Sequence, residues 1–225
     1  MEKILKEILE NIKLGVYETL SIEFKGSFNF LEKNHNYLKE KVVKGVLAMA
    51  NSYGGYIVIG ISESGDSPEV EGISKDRMDI FKKHRDGLEE YIRSFASCPI
   101  EFRIEFLDIN EMSFVMIKIE EFSSSPIICL KAGQNNPKVL EQSAIYVRGL
   151  LSKPESVKVF RLADMESLLD KAVNRRIFKL NDNGWVHNTQ IEKILENVTI
   201  KLNDVNKKND IPKKDNYKEE RLNFE

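Results

Sequence analysis

The stretch Ala48-Met49-Ala50-Asn51-Ser52-Tyr53-Gly54-Gly55-Tyr56-Ile57-Val58-Ile59-Gly60-Ile61-Ser62-Glu63 decides the fold. It begins as the end of an amphipathic helix in which Val42, Val43, Val46, Leu47 and Ala50 face inward. Asn51 and Gly54-Gly55 read as a helix cap with a left-handed exit; close backbone approach to a phosphate is the functional alternative. The run from Tyr56 to Ile61 is almost wholly apolar, the pattern of a central strand covered on both faces.

Upstream, Leu20-Ser21-Ile22-Glu23-Phe24-Lys25 alternates apolar and polar residues, the period of a half-buried strand. Leu20, Ile22 and Phe24 share one face, Ser21, Glu23 and Lys25 the other. Ile4, Leu5, Ile8, Leu9 and Ile12 form the stripe of an N-terminal helix, ended by Gly15. Downstream, Ser64 to Pro68 is a turn and a helix is predicted from about Lys75 to Phe95. Strands follow near 100–107, 112–120 and 126–131, with Asn110-Glu111 turning between the first two. Ala144 to Arg148 is a last strand, and a helix is expected over about 156–172. Interspersed helices and strands with an antiparallel central section give an α+β class.

Composition narrows the function. The formal net charge is −2, so the chain is not a dedicated duplex packager, whose affinity comes from neutralising phosphates. A local basic patch, with the acids placed elsewhere or holding metal, remains compatible. No apolar stretch approaches the ~20 residues of a membrane helix. Cys98 and Cys129 lack metal-ligand spacing and read as reduced thiols of a cytoplasmic protein. His35, His84 and His187 are isolated, and Trp185 reads as a packing anchor.

Three features occur in order: Glu18 ahead of the Glu23-Phe24-Lys25 strand, the Asn51-to-Glu63 segment, and Tyr146-Val147-Arg148. Together they resemble the Schlafen-type, AlbA-like domain, over about 130 residues. The resemblance implies a mixed sheet with flanking helices over residues 1–152. A helical C-terminal extension over 153–202, with an amphipathic segment from Gln190 to Leu202, and a charged, disordered tail over 203–225 complete the expected organisation.

Glu23 and Lys25 on one strand face lie within about 7 Å of each other. A carboxylate beside an ammonium on a rigid strand suits phosphoryl chemistry. In catalytic members of the family three acids form a metal-dependent endoribonuclease centre. Carried over, these are Glu18, Glu23 and Glu63, holding Mg²⁺ or Mn²⁺ as hard cations prefer, with Lys25 beside them. The third family position is commonly Asp, which leaves Asp66 as an alternative to Glu63. Lys39, Lys41, Lys44 and Arg148 are candidates for contact with phosphate. The resemblance thus implies an enzyme cutting structured, tRNA-like RNA, RNA ahead of DNA, in growth arrest or antiphage defence. The rival reading is a non-catalytic nucleic-acid-binding module or a subunit of a defence complex. The larger family members enclose RNA between two lobes, so a homodimer or a second subunit docked through the C-terminal region is expected.

Overall fold

The computed structural model describes residues 1–15, 18–64, 67–134, 138–150, 154–159 and 161–182. The chain divides into a unit of Met1–Arg176 and a second of Ile177–Glu225. Only residues 177–182 of the second are described, so the expected helix over 190–202 and the tail over 203–225 lie outside the described residues, as do His187 and Trp185.

The first unit is α+β, as expected. Its main sheet joins β1 (Ile22–Lys25), β2 (Gly55–Ile59), β6 (Met112–Ile119) and β5 (Phe102–Ile109) in the order β1-β2-β6-β5. β1 runs parallel to β2, with Glu23 beside Ile57 and Phe24 beside Val58. The β2–β6 and β6–β5 pairs are antiparallel. Asn110 and Glu111, both at positive φ, make the tight turn between β5 and β6.

Alternation along these strands sends side chains into two separate apolar clusters. Phe24, Val58, Phe114 and Met116 meet Leu5, Ile8 and Leu9 of α1 (Glu2–Lys13) on one face. Ile57, Ile59, Val115 and Ile117 meet the other cluster, to which α2 (Asn36–Ala50) contributes Val42, Val43, Val46 and Leu47. β2 is therefore covered on both faces, as its unbroken apolar run implies. Glu23 lies in register with Ile57, so this acid is turned toward α2 rather than toward open solvent and is 5% exposed.

The join between α2 and β2 needs its two glycines. Gly54 has φ +67° and a Cβ there would stand 2.6 Å from the Ile119 carbonyl oxygen. At Gly55, φ +147°, a Cβ would run into the Ser21 carbonyl oxygen. Close packing of main chain on main chain, not only turn conformation, fixes this pair. Gly60, at φ +111°, then lets the chain leave the sheet into the hairpin of β3 (Ile61–Ser64) and β4 (Ser67–Val70).

Three expected elements differ. The helix predicted over 75–95 is two, α3 (Lys75–Lys83) and α4 (Arg85–Arg93), broken at His84. Met78, Phe81, Leu88 and Ile92 are buried on both sides of the break, so the apolar stripe gave no sign of it. Residues 126–131 form no strand, only a single bridge, Ala96 with Cys129. The start of the helix predicted over 156–172 is a strand: β8 (Pro154–Lys158) pairs antiparallel with β7 (Tyr146–Leu150), and α5 (Leu162–Asp182) begins after it. The expected boundary at 152 falls between these two paired strands. Among the described residues no helix is long and apolar enough to cross a membrane.

Candidate nucleic-acid site

Three separate pieces of sequence meet at Glu23. β1 supplies Glu23 and Lys25 on one face, as their two-residue spacing requires. The end of α2 supplies Asn51 and Ser52, which dock β7. The Asn51 side-chain amide donates to the carbonyl oxygens of Ile127 (2.9 Å) and Tyr146 (3.0 Å), and its oxygen accepts from the Ile127 N–H (2.7 Å). Ser52 Oγ accepts from the Arg148 N–H at 2.8 Å. Asn51 is therefore a clamp between the helix end and two other segments. β7, held in this way, sends the Arg148 side chain back to β1.

Arg148 spends all its guanidinium donors inside the protein. Nη1 donates to Glu23 Oε2 (2.7 Å) and Ser156 Oγ (3.2 Å), Nη2 to the carbonyls of Thr19 (2.8 Å) and Ile22 (3.3 Å), and Nε to that of Leu20 (3.3 Å). Its side chain is 1% exposed. Arg148 thus stitches the 19–22 turn to Glu23 and faces inward, with no donor left for a phosphate.

The carboxylate of Glu23 is held from both sides: Lys25 Nζ lies 2.6 Å from Oε1, and Ser156 Oγ donates to Oε2 at 3.0 Å. Burial pushes the Glu23 carboxyl up, but Lys25 and Arg148, with hydrogen bonds from Lys25 and Ser156, outweigh it and hold it below the usual carboxylate range. Glu18 stands beside it, with Oε1 accepting the Phe24 N–H at 2.5 Å and Oε2 3.9 Å from Arg148 Nη2.

Gly45 of α2 makes the room. A Cβ there would stand 3.0 and 3.1 Å from the Glu23 carboxylate oxygens and 2.9 Å from Ile57 Cδ1. Alanine is the better helix former by about 1 kcal/mol, yet Gly45→Ala should destabilise the protein by about 1–3 kcal/mol through overpacking. Denaturant unfolding measures this; an increase in stability would show that Glu23 is free to move.

These groups floor a cleft of about 340 Å³, whose rim includes Lys41, Lys44, Lys138 and Glu155. Lys41 lies over the Tyr37 ring (4.6 Å) and Lys44 over that of Tyr146 (5.3 Å). Among the described residues Lys41, Lys44 and Lys138 make no ion pair. Burial lowers the affinity of Lys44 for its proton, against the opposing pull of Glu155 and Glu23. Lys39 sits over Phe30 at 5.3 Å, outside the cleft lining.

The structure brings Glu18, Glu23, Lys25, Lys41, Lys44 and Arg148 to one cleft. Glu63 lies on β3 with its backbone opposite Pro68; its side chain, and the whole of Asp66, lie outside the described residues. Among the described residues no group of three or more His, Cys, Asp or Glu could hold a metal ion. Glu18 and Glu23 supply two hard oxygen donors, but Glu23 is already balanced by two cations, so these two acids do not make a divalent-cation site by themselves. Gly45, Ser52, Lys138 and Ser156 were not anticipated. Ser156 was hidden by the helical reading of its segment, whereas a glycine inside a helix is itself a hint of close approach.

The profile described as Schlafen, AlbA_2 matches residues 18–153, a span that holds Glu18, Glu23, Asn51 and Arg148. The chain belongs to the Schlafen AlbA_2 family. Among solved structures, it is similar to the DIP2311 protein from Corynebacterium diphtheriae, at 15% identity and a TM-score of 0.44, over 73% of this chain and 28% of that one. It is also similar to the N-terminal domain of an ATP-dependent DNA helicase RecG-related protein from Nitrosomonas europaea. That match has 18% identity and a TM-score of 0.39, over 51% of this chain and 71% of the other. Membership of the Schlafen AlbA_2 family, together with this cleft, marks a nucleic-acid-related domain.

Proposed function

We propose that the cleft above Glu23 binds the sugar–phosphate backbone of nucleic acid, RNA ahead of DNA. The observation that carries this is the set of three lysines, Lys41, Lys44 and Lys138, without ion pairs among the described residues, on the rim of a floor whose Glu18 and Glu23 are faced by Lys25 and Arg148. With Glu23 already neutralised, an arriving phosphate meets the lysines as the unbalanced charge. The preference for RNA, and a second copy or subunit docked through the C-terminal region as the facing wall, follow the resemblance to the larger family members.

A second reading, a Mg²⁺- or Mn²⁺-dependent endoribonuclease acting on structured RNA, is favoured by the convergence of Glu18, Glu23 and Lys25. It needs donors beyond Glu18 and Glu23. One experiment addresses both readings: the full chain is incubated with transfer RNA in Mg²⁺, in Mn²⁺ and in chelator, and both retardation and fragments are scored. Retardation that survives chelation supports binding. Fragments that require the metal and vanish in Glu18→Gln support the nuclease. Absence of retardation and of fragments under all conditions would overturn both readings.

A further inference from the structure

A second and larger concavity, about 700 Å³, shares no lining residue with the Glu23 cleft. Tyr53 forms part of its wall and is 66% exposed. Lys171 Nζ covers the ring, 3.4 Å from its centroid. Tyr53 thus borders both this cleft and a smaller neighbouring hollow, and Lys171 lines only the smaller one.

The same lining carries four cations, Arg93, Arg103, Lys118 and Arg175, against the acids Glu101, Glu120 and Glu121. Arg103 on β5 stands directly across from Lys118 on β6, and like charges in that position destabilise a sheet. Lys118 is answered by Glu120 at 2.6 Å, and Arg175 by Glu121 at 2.7 Å. Arg103 has no ion-pair partner among the described residues. Neither has Arg93, whose Nη1 donates to the Ile100 carbonyl (2.6 Å) and whose guanidinium stacks over Phe102 at 4.6 Å. Two arginines without carboxylate partners among the described residues thus flank Phe102, within one cleft whose lining also includes the exposed Tyr53.

We infer that this cleft is a nucleotide subsite: one base of a single strand stacks on Tyr53, and the adjoining phosphate is held by Arg93 and Arg103. Stacking on an exposed ring together with guanidinium contact to the backbone is how single strands are bound without sequence readout. On the same lining Glu120 and Glu121 are answered by Lys118 and Arg175, which leaves Glu101 as the acid that competes with phosphate for the two arginines. The inference rests on the nucleic-acid reading but on none of the residues that carry it.

The test uses the full chain and a fluorescein-labelled single-stranded RNA of about ten nucleotides, followed by anisotropy across a salt series. Tyr53→Leu should weaken binding roughly tenfold with little change in salt dependence, since a stack is lost and no charge. Tyr53→Phe should bind as the wild type does. Arg103→Glu should weaken binding and also flatten the salt dependence. Tyr53→Leu or Arg103→Glu binding as tightly as wild type overturns the subsite. If these bind normally while Lys41→Ala/Lys44→Ala does not, the Glu23 cleft stands and the subsite falls. The reverse pattern upholds the subsite and removes the Glu23 cleft as the binding site.

Discussion

Glu23→Ala should lower the unfolding free energy by about 3–5 kcal/mol, the cost of removing one partner from a buried ion pair. The substitution leaves Arg148, 1% exposed, without its carboxylate, and removes the anion 2.6 Å from Lys25. Against a total stability of about 5–15 kcal/mol this is a large share. Glu23→Gln keeps the shape and should cost less. The acid limb carries the same signature. The folded Glu23 carboxyl lies below its unfolded value of about 4.3, so its contribution is fully present above that pH and is lost as pH falls through the lower, folded value. Thermal unfolding of wild type and Glu23→Gln between neutral and acid pH should therefore converge toward the acid end. If Glu23→Ala unfolds at the wild-type midpoint, the network is not structural. Loss of RNA handling in Glu23→Ala would not by itself prove catalysis, because it is expected with loss of fold.

Asn51→Ala should cost about 3 kcal/mol or more. Each buried backbone group left without a partner costs about 1–3 kcal/mol, and this side chain serves the Ile127 N–H, the Ile127 carbonyl and the Tyr146 carbonyl. Asn51→Asp separates the roles: a carboxylate still accepts from the Ile127 N–H but cannot donate to the two carbonyls, so it should be no better than alanine. Denaturant unfolding of the two variants gives the measurement. A mere cap at the helix C-terminus would leave no distant backbone group unpaired, so an alanine variant that unfolds close to the wild-type midpoint would show that the clamp is not structural.

The long-range logic of the site was only partly legible. The apolar run located the buried strand, although it ends at Ile59 and Ile61 already belongs to β3, and periodicity placed the inward face of α2 and the shared face of Glu23 and Lys25, because each depends on neighbours in sequence. Asn51 read as a cap because a cap is what local chemistry offers at a helix end; its true partners lie on segments 76 and 95 residues further along the chain. Arg148 read as a surface cation for the same reason. Nothing local says that it reaches back 125 residues to Glu23. The resemblance named these residues together, and the geometry supplies the reason: Asn51 and Ser52 hold the strand that carries Arg148 to Glu23.

On the proposed reading, that buried network supports a surface that takes up phosphate. Equilibrium binding of structured RNA to Lys41→Ala/Lys44→Ala and to wild type, each across a range of salt, tests this most directly. Neither lysine makes an ion pair among the described residues, and each covers an aromatic ring, a contact worth about 0.5–1 kcal/mol, so the variant should stay folded with a slightly lower unfolding midpoint. It should bind more weakly, with a log–log salt slope shallower by roughly 1.5–2 for two lost phosphate contacts. An unchanged slope and affinity in the folded variant would contradict the assignment of this cleft to nucleic acid.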